Sequence, residues 1–415
     1  MELVGDYNLV KKDLCNSIAN IVKHYFAQLE KDIKNKQLNK NGLTGYLIAI
    51  SEFYHILPQK DKWLEYSYII MQEIRTMIYE GSIKNIGLFG GLTDISFAVK
   101  IANKKMNCYK SFSKSVESLL IKAVETNLTY LKNNIDDVKV TDYDLINGIS
   151  GAGMYFLFSE SKQETKNIQE CIIDYFIQLT NNFIYSDYNI PRWFIKFNNQ
   201  LRNQDNIDFP MGSIDFGMAH GILAPLLYLS KAYNLGTIID GQLETINKII
   251  DIYFKFAKVD KNNIYQWPSQ LGLKEFVNGS NVYDKRKYRE SWCYGSISIS
   301  RALYLVGKDI NNAYLQEFSL NNIFNIANLD NQEYLLESPI ICHGYSGLLE
   351  ILVQTYIDTQ NDTLIYKIIN LAEIIVDFFN PKFKYGYKDR GTIFQNGDSI
   401  TKEIEFYDIL NGSSG

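Results

Sequence analysis

Proline is scarce in this 415-residue chain, at seven residues, and histidine is scarcer, at four. So few prolines over such a length favour helices with short connections, because proline removes an amide donor and breaks a helix interior. Cysteine occurs five times, as Cys15, Cys108, Cys171, Cys293 and Cys342, an odd and scattered set. That argues against a disulfide framework and for reduced thiols in a cytosol. The net charge of −5 is mild, and no block of lysine and arginine marks a nucleic-acid surface. No apolar run approaches the ~18 residues that a membrane span requires. The start, "MELVGDYNLVKKDLCNSI", lacks the basic-then-apolar order of a secretory signal. These absences predict a soluble, cytoplasmic protein that does not bind nucleic acid. Apolar and aromatic residues are plentiful: 46% of the chain is hydrophobic, with 30 Tyr and 23 Phe, enough for a large core.

One short element recurs along the whole chain, a glycine leading into an apolar stretch. It reads "NGLTGYLIAI" at Gly42, "GGLTDISFAV" at Gly91, "NGISGAGMYFL" at Gly148 and "HGILAPLLYLS" at Gly221. It returns as "YGSISISRALYL" at Gly295, "HGYSGLLEILV" at Gly344 and "NGSSG" at Gly412. The intervals are 49, 57, 73, 74, 49 and 68 residues, each able to hold two helices of ordinary length. Between the motifs, Val116, Leu120, Ala123, Val124 and Leu131 keep helical spacing, as do Ile365, Ile368, Ile369, Ala372, Ile375 and Phe379. Each repeat therefore reads as an amphipathic helix, a glycine turn and a more uniformly apolar, buried helix. Glycine suits such a turn either through positive φ or through close backbone approach. Seven such pairs predict an all-α fold, a double ring of inner and outer helices; an open solenoid is the alternative, though solenoid repeats are more regular in length. The expected organisation is a single domain over 1–415, with the last repeat incomplete at the C-terminus. Two irregular insertions, near 180–216 and 258–290, are rich in Tyr, Phe, Trp, Asn and Gly and read as loops with short strands. Long irregular connections of this kind are usually functional.

Just before their central glycines, three of the seven motifs carry a thiol or an imidazole: "AHG" with His220, "WCYG" with Cys293, and "CHG" with Cys342 and His343. If the ring closes, these groups converge on its axis. Two cysteines and one histidine are a ligand set for catalytic zinc, which leaves a fourth position open, and soft thiolates select zinc over magnesium or calcium. One Zn2+ per chain is the expectation, with Cys293, Cys342 and His343 as ligands. Such a sphere is formally neutral and favours binding an incoming thiol as thiolate, rather than activating water. His220 is a natural acid or base near neutral pH. Asp144 in "YDLING" and Arg289 in "RESWCYG" are candidate partners, against the plainer readings of a helix cap and a surface ion pair. Cys15, Cys108 and Cys171 are read as ordinary residues of helical segments, and His24 and His55 receive no role.

The ordered set "YDLINGISG", "DFGMAHG", "SWCYG" and "ICHG" resembles the lanthionine synthetase C-like family, the lantibiotic cyclases, across essentially the whole chain. The resemblance implies an α/α toroid of two concentric seven-helix layers around a zinc site. It implies that a peptide cysteine adds to dehydroalanine or dehydrobutyrine of a dehydrated precursor peptide, forming a thioether. By that likeness Cys293, Cys342 and His343 hold the metal, His220 is an acid/base, Asp144 and Arg289 are active-site partners, and Tyr294 is a neighbour. The resemblance leaves open whether the cyclase works alone or docked to a dehydratase and an ABC exporter at the membrane. Two departures stand out: Pro225 falls later in "HGILAP" than in the usual form of that motif, and no inner helix follows "NGSSG". Other readings are a non-catalytic module capturing a thiol such as glutathione, a glycosidase using Asp142 and Asp144, and a prenyltransferase-like thiol alkylator. The glycosidase has no use for a Cys-Cys-His set, and the alkylator needs a basic diphosphate pocket that the motifs do not supply.

Overall fold

The computed structural model describes residues 2–159, 162–280, 289–395 and 398–413. Part of the 258–290 insertion and the last two residues of "NGSSG" lie outside these. The long helices are α1 (Glu2–Lys34), α2 (Leu43–Phe53), α3 (Lys60–Tyr79), α4 (Leu92–Met106), α5 (Lys110–Asn133), α6 (Ile149–Leu157) and α7 (Lys162–Thr180). They continue with α8 (Leu223–Asn234), α9 (Gln242–Phe256), α10 (Ser296–Asp309), α11 (Ala313–Ala327), α12 (Tyr345–Thr359) and α13 (Ile365–Asp377). The glycines at 42, 91, 148, 221, 295 and 344 each lead into a helix within two residues, so the repeat read from sequence is a repeat of helix starts. Short antiparallel ladders interrupt the helices: β1 (Asn182–Tyr185) with β2 (Tyr188–Pro191), β3 (Ser213–Asp215) with β6 (Gln270–Gly272), and β4 (Lys258–Val259) with β5 (Tyr265–Gln266). A longer hairpin pairs β7 (Asp389–Gln395) with β8 (Asp398–Ile404).

The chain folds as two compact units. In the unit formed by residues 84–96 and 114–335, the apolar helices α6, α8 and α10 pack side by side, while α7, α9 and α11 back them from outside. Ile149, Phe156, Leu226, Leu229, Ile297 and Leu303 of the inner row are fully or almost fully buried. Helix α5 buries Val116, Leu120, Val124, Leu128 and Leu131 on one face, as its periodicity predicts. In the unit formed by residues 1–83, 97–113 and 336–415, α1 touches α3 and α13, α2 packs on α3, and α12 packs on α13. The buried Asp32 of α1 ties this unit together: it accepts from the Tyr385 hydroxyl at 2.6 Å and from Lys384 Nζ at 2.9 Å. A buried carboxylate partnered this fully avoids most of the desolvation cost that an unpaired one would incur.

Three details correct the sequence reading. Helix α13 forms where expected, but among its described residues only Leu371 is buried; Ala372 and Ile375 instead line an apolar cavity of about 230 Å³ with Ile18, Ile21 and Leu349. Cys108 sits in the connection between α4 and α5, not on a helix. Pro225 does not disturb its helix, because it occupies the first turn of α8, where an amide has no helical partner.

The structure also decides between the two reasons for glycine. Gly148 has φ −93°, far from the left-handed region, but a Cβ there would lie 2.5 Å from Asp144 N and 2.8 Å from the Tyr143 carbonyl carbon. Gly344 has φ −126°, and its Cβ would lie 2.6 Å from Ile340 O. At these two positions close approach of the turn to its own preceding backbone is the requirement, while Gly295 combines close approach with a positive φ of 158°. Gly148→Ala must therefore push main chain apart and is expected to cost about 1–3 kcal/mol, the usual range for overpacking. Gly391→Ala, where nothing lies within 4 Å of the added methyl, should be close to neutral. Denaturation midpoints of the two variants check this.

Candidate active site

In the unit 84–96 and 114–335, successive glycine turns are joined by main-chain hydrogen bonds. Leu88 N–H and Phe89 N–H donate to Ile146 O, Leu145 N–H to Ala219 O, and both Met218 N–H and Ala219 N–H to Cys293 O. The turns bearing Asp144, His220 and Cys293 are thus joined in series through their backbones.

His220 donates from Nδ1 to Asp144 Oδ2 at 2.6 Å, across 76 residues of sequence. Asp144 is fully buried; its other oxygen accepts from Asn147 N–H at 2.7 Å and Gly148 N–H at 2.6 Å. Asp144 thus has two sets of partners: one oxygen caps the turn before α6, and the other holds the imidazole. With Nδ1 engaged, Nε2 is the nitrogen left for proton exchange. Burial by itself would lower the His220 pKa, but the Asp144 hydrogen bond and charge, with the charges of Asp215 and Cys293, outweigh it and leave the pKa above the usual histidine value.

Tyr294 donates its hydroxyl to Asp215 Oδ2 at 2.7 Å, and its ring lies 6.4 Å from the imidazole of His220, centroid to centroid. Burial, the charge of Asp215 and this hydrogen bond keep the phenol protonated, its pKa well above 10. Asp215, buried at the end of β3, also accepts from Gly217 N–H at 2.7 Å. Burial raises its carboxyl to about 6, against the lowering effect of Tyr294 and His220. Gly217 is a glycine because a Cβ there would meet the Tyr294 ring at 2.4 Å. Sequence reasoning missed Asp215. Its signal is the first residue of "DFGMAHG", six residues before Gly221 rather than next to it.

Cys293 is buried, with Sγ 3.5 Å from Ser291 Oγ. Glu290 braces the same turn: it accepts from Ile297 N–H at 2.8 Å at the start of α10, and burial lifts its carboxyl to about 7. Arg289 is half-buried beside the undescribed 281–288 segment; its carbonyl accepts from Ser291 N–H. Its guanidinium pairs with neither Asp144 nor His220 among the described residues, so the structure does not join it to that pair.

Cys342 and His343 belong to the other unit. Cys342 N–H donates to Leu410 O at 3.0 Å, and His343 Nε2 donates to Asp389 Oδ1 at 3.2 Å. Burial would raise the Asp389 carboxyl, but the bonds from His343 and Ser338 hold it below the usual carboxylate range. Among the described residues no group of three or more His, Cys, Asp or Glu side chains is gathered as a metal site. The donor chemistry suits zinc: Cys293 and Cys342 carry thiols that form no disulfide, and the His343 imidazole keeps its lone pair on Nδ1 because Nε2 carries the proton.

The raised His220 pKa keeps the imidazolium populated to a higher pH than an isolated histidine at 6.5. Asp144→Asn removes the dominant raising interaction and leaves burial in place, so the pKa should move down. With four histidines in the chain, the ring resonances are few enough to titrate by NMR. An unchanged or higher value would refute the pairing.

Residues 35–397 match the family described as "Lanthionine synthetase C-like protein". The nisin biosynthesis protein NisC of Lactococcus lactis subsp. lactis is 26% identical over 360 residues, covering 82% of this chain and 80% of that protein. The solved structure of a nisin cyclase superposes with a TM-score of 0.77 at 21% identity, covering 88% of this chain and 89% of that one. The fold is accordingly an α/α toroid, all-α with short strand insertions. Among the described residues no helix is long and apolar enough to cross a membrane. On the match over most of its length, the chain belongs to the lanthionine synthetase C-like family.

Proposed function

We propose that the protein is a zinc-dependent lanthionine cyclase, which adds cysteine thiols of a dehydrated precursor peptide to dehydroalanine or dehydrobutyrine. The observation that carries this reading is the buried Asp144–His220 pair, beside Tyr294 and on a turn hydrogen-bonded to that of Cys293, in a chain of this family. The expected metal ligands are Cys293, Cys342 and His343. Zinc bound there supplies a lowered thiol pKa, so that the peptide cysteine reacts as thiolate at neutral pH.

The rest is the work of this chain's side chains. The new bond joins the cysteine sulfur to the β-carbon, the alkene pair moves toward the α-carbon and amide oxygen, and the α-carbon takes a proton. His220 imidazolium, oriented by Asp144 through Nδ1, delivers that proton from Nε2. A proton is lost from the thiol for each one gained at carbon, so ring closure leaves the mass unchanged. Tyr294, kept neutral, is held in position by Asp215 and packs beside the imidazole. The guanidinium of Arg289 is the candidate cation for the developing enolate oxygen. A dehydratase that prepares the substrate and an ABC exporter that removes the product are the partners this reading implies, which would bring a cytoplasmic enzyme to the membrane surface.

Purified protein should carry about one zinc per chain, lost in Cys293→Ala or Cys342→Ala. Incubation with a dehydrated, cysteine-containing peptide should abolish its reaction with a thiol alkylator without a mass change. His220→Ala should retain metal but lose about 10²–10⁴-fold in rate, the usual weight of a general acid. Bound zinc with no consumption of thiol on any such peptide would instead indicate a thiol-binding module.

A further inference from the structure

We propose that Asp389 is a positioning residue for His343, accepting its Nε2 proton and so presenting Nδ1 as the coordinating nitrogen. The proposal rests on the reading of His343 as a zinc ligand and extends it to a residue that lies outside every glycine motif.

The geometry is local to one unit. Asp389 opens β7 and lies 46 residues after His343; its Oδ1 is 3.2 Å from His343 Nε2 and 2.8 Å from the Ser338 hydroxyl. Both side chains are mostly covered, with 16% of Asp389 and 26% of His343 exposed, so the bond is not simply lost to water. Ser338 works twice. Its hydroxyl donates to the carboxylate and accepts from Arg390 N–H at 3.3 Å, while its carbonyl accepts from Tyr345 N–H at 2.8 Å. The residue that anchors the turn after His343 therefore also anchors the carboxylate facing the imidazole.

The chemical consequence follows from donor counting. A neutral imidazole has one N–H and one lone pair, and a carboxylate only accepts. The proton must then sit on Nε2, which leaves the lone pair on Nδ1. A carboxylate on the far nitrogen also makes the imidazole a more basic ligand. Two thiolates and a neutral imidazole leave zinc formally uncharged, so Asp389 adds one negative charge just outside the coordinating atoms. It would favour retention of the metal without binding it.

The test uses the full chain loaded with zinc, with affinity measured by chelator competition and the His343 ring read by long-range ¹H–¹⁵N correlation. In the wild type the ring proton should be on Nε2 and the metal on Nδ1. Asp389→Ala should bind zinc about 10–100-fold more weakly, the usual effect of removing such a partner. Asp389→Asn, which still offers an acceptor oxygen, should keep the Nε2–H tautomer and fall between the two; if the alanine variant fails to fold, the asparagine variant decides. Wild-type affinity in Asp389→Ala, or metal found on Nε2, would overturn the inference while leaving the zinc cyclase intact. Absence of zinc from the wild type would instead overturn the ligand reading, and with it this one.

Discussion

The active turns depend on a run of main-chain hydrogen bonds that passes from one glycine turn to the next. Ile146, Ala219 and Cys293 each offer a carbonyl to an amide of the preceding turn, and these bonds are indifferent to the side chains that the turns display. Carboxylate, imidazole and thiol can therefore stand on successive turns without each needing its own scaffold. At Gly148 and Gly344 the glycine serves this arrangement through space rather than through an unusual dihedral, whereas Gly295 has a positive φ of 158°. At Gly148 and Gly344 the chain doubles back so tightly that one methyl would collide with main chain. Such turns also start the buried apolar helices of the inner layer, so the packing that stabilises the core fixes the site as well.

Buried carboxylates are the second constraint. Asp144 and Asp215 each accept backbone amides on one oxygen and a functional side chain on the other. Amides and a polar partner together offset the desolvation that would otherwise expel the charge. In the other unit, Asp408 of "YDILNG" accepts from Asn411 N–H at 2.7 Å, as Asp144 of "YDLING" accepts from Asn147. The turn bond is thus a structural device of the repeat. At Asp144 the same carboxyl has a second use, because the neighbouring turn brings a histidine to it.

Much of the fold was legible because its signals are local. Helix starts follow the glycines, the α5 face follows its periodicity, and the thiols and imidazoles of the motifs stand directly before the glycines, where a turn must display them. The family resemblance rested on the same residues. What was missed has a common cause: Asp215 meets Tyr294 across 79 residues and Asp389 meets His343 across 46, and nothing near either aspartate in sequence names its partner. The α13 face has its apolar residues at the expected spacing but is only half-buried. Periodicity predicts which side is apolar, but not whether a neighbour fills the space beside it.

By itself the sequence determined the repeat, the helical class, the family and the residue types able to do thiol chemistry, because each depends on spacing within a few turns of chain. Tertiary structure alone decided which carboxylate meets which ring nitrogen, which phenol is held neutral, and that Arg289 forms no pair with Asp144 or His220 among the described residues. Those outcomes depend on which turns become neighbours. Hydrogen bonds and desolvation act over about 3 Å of space, whatever the distance along the chain.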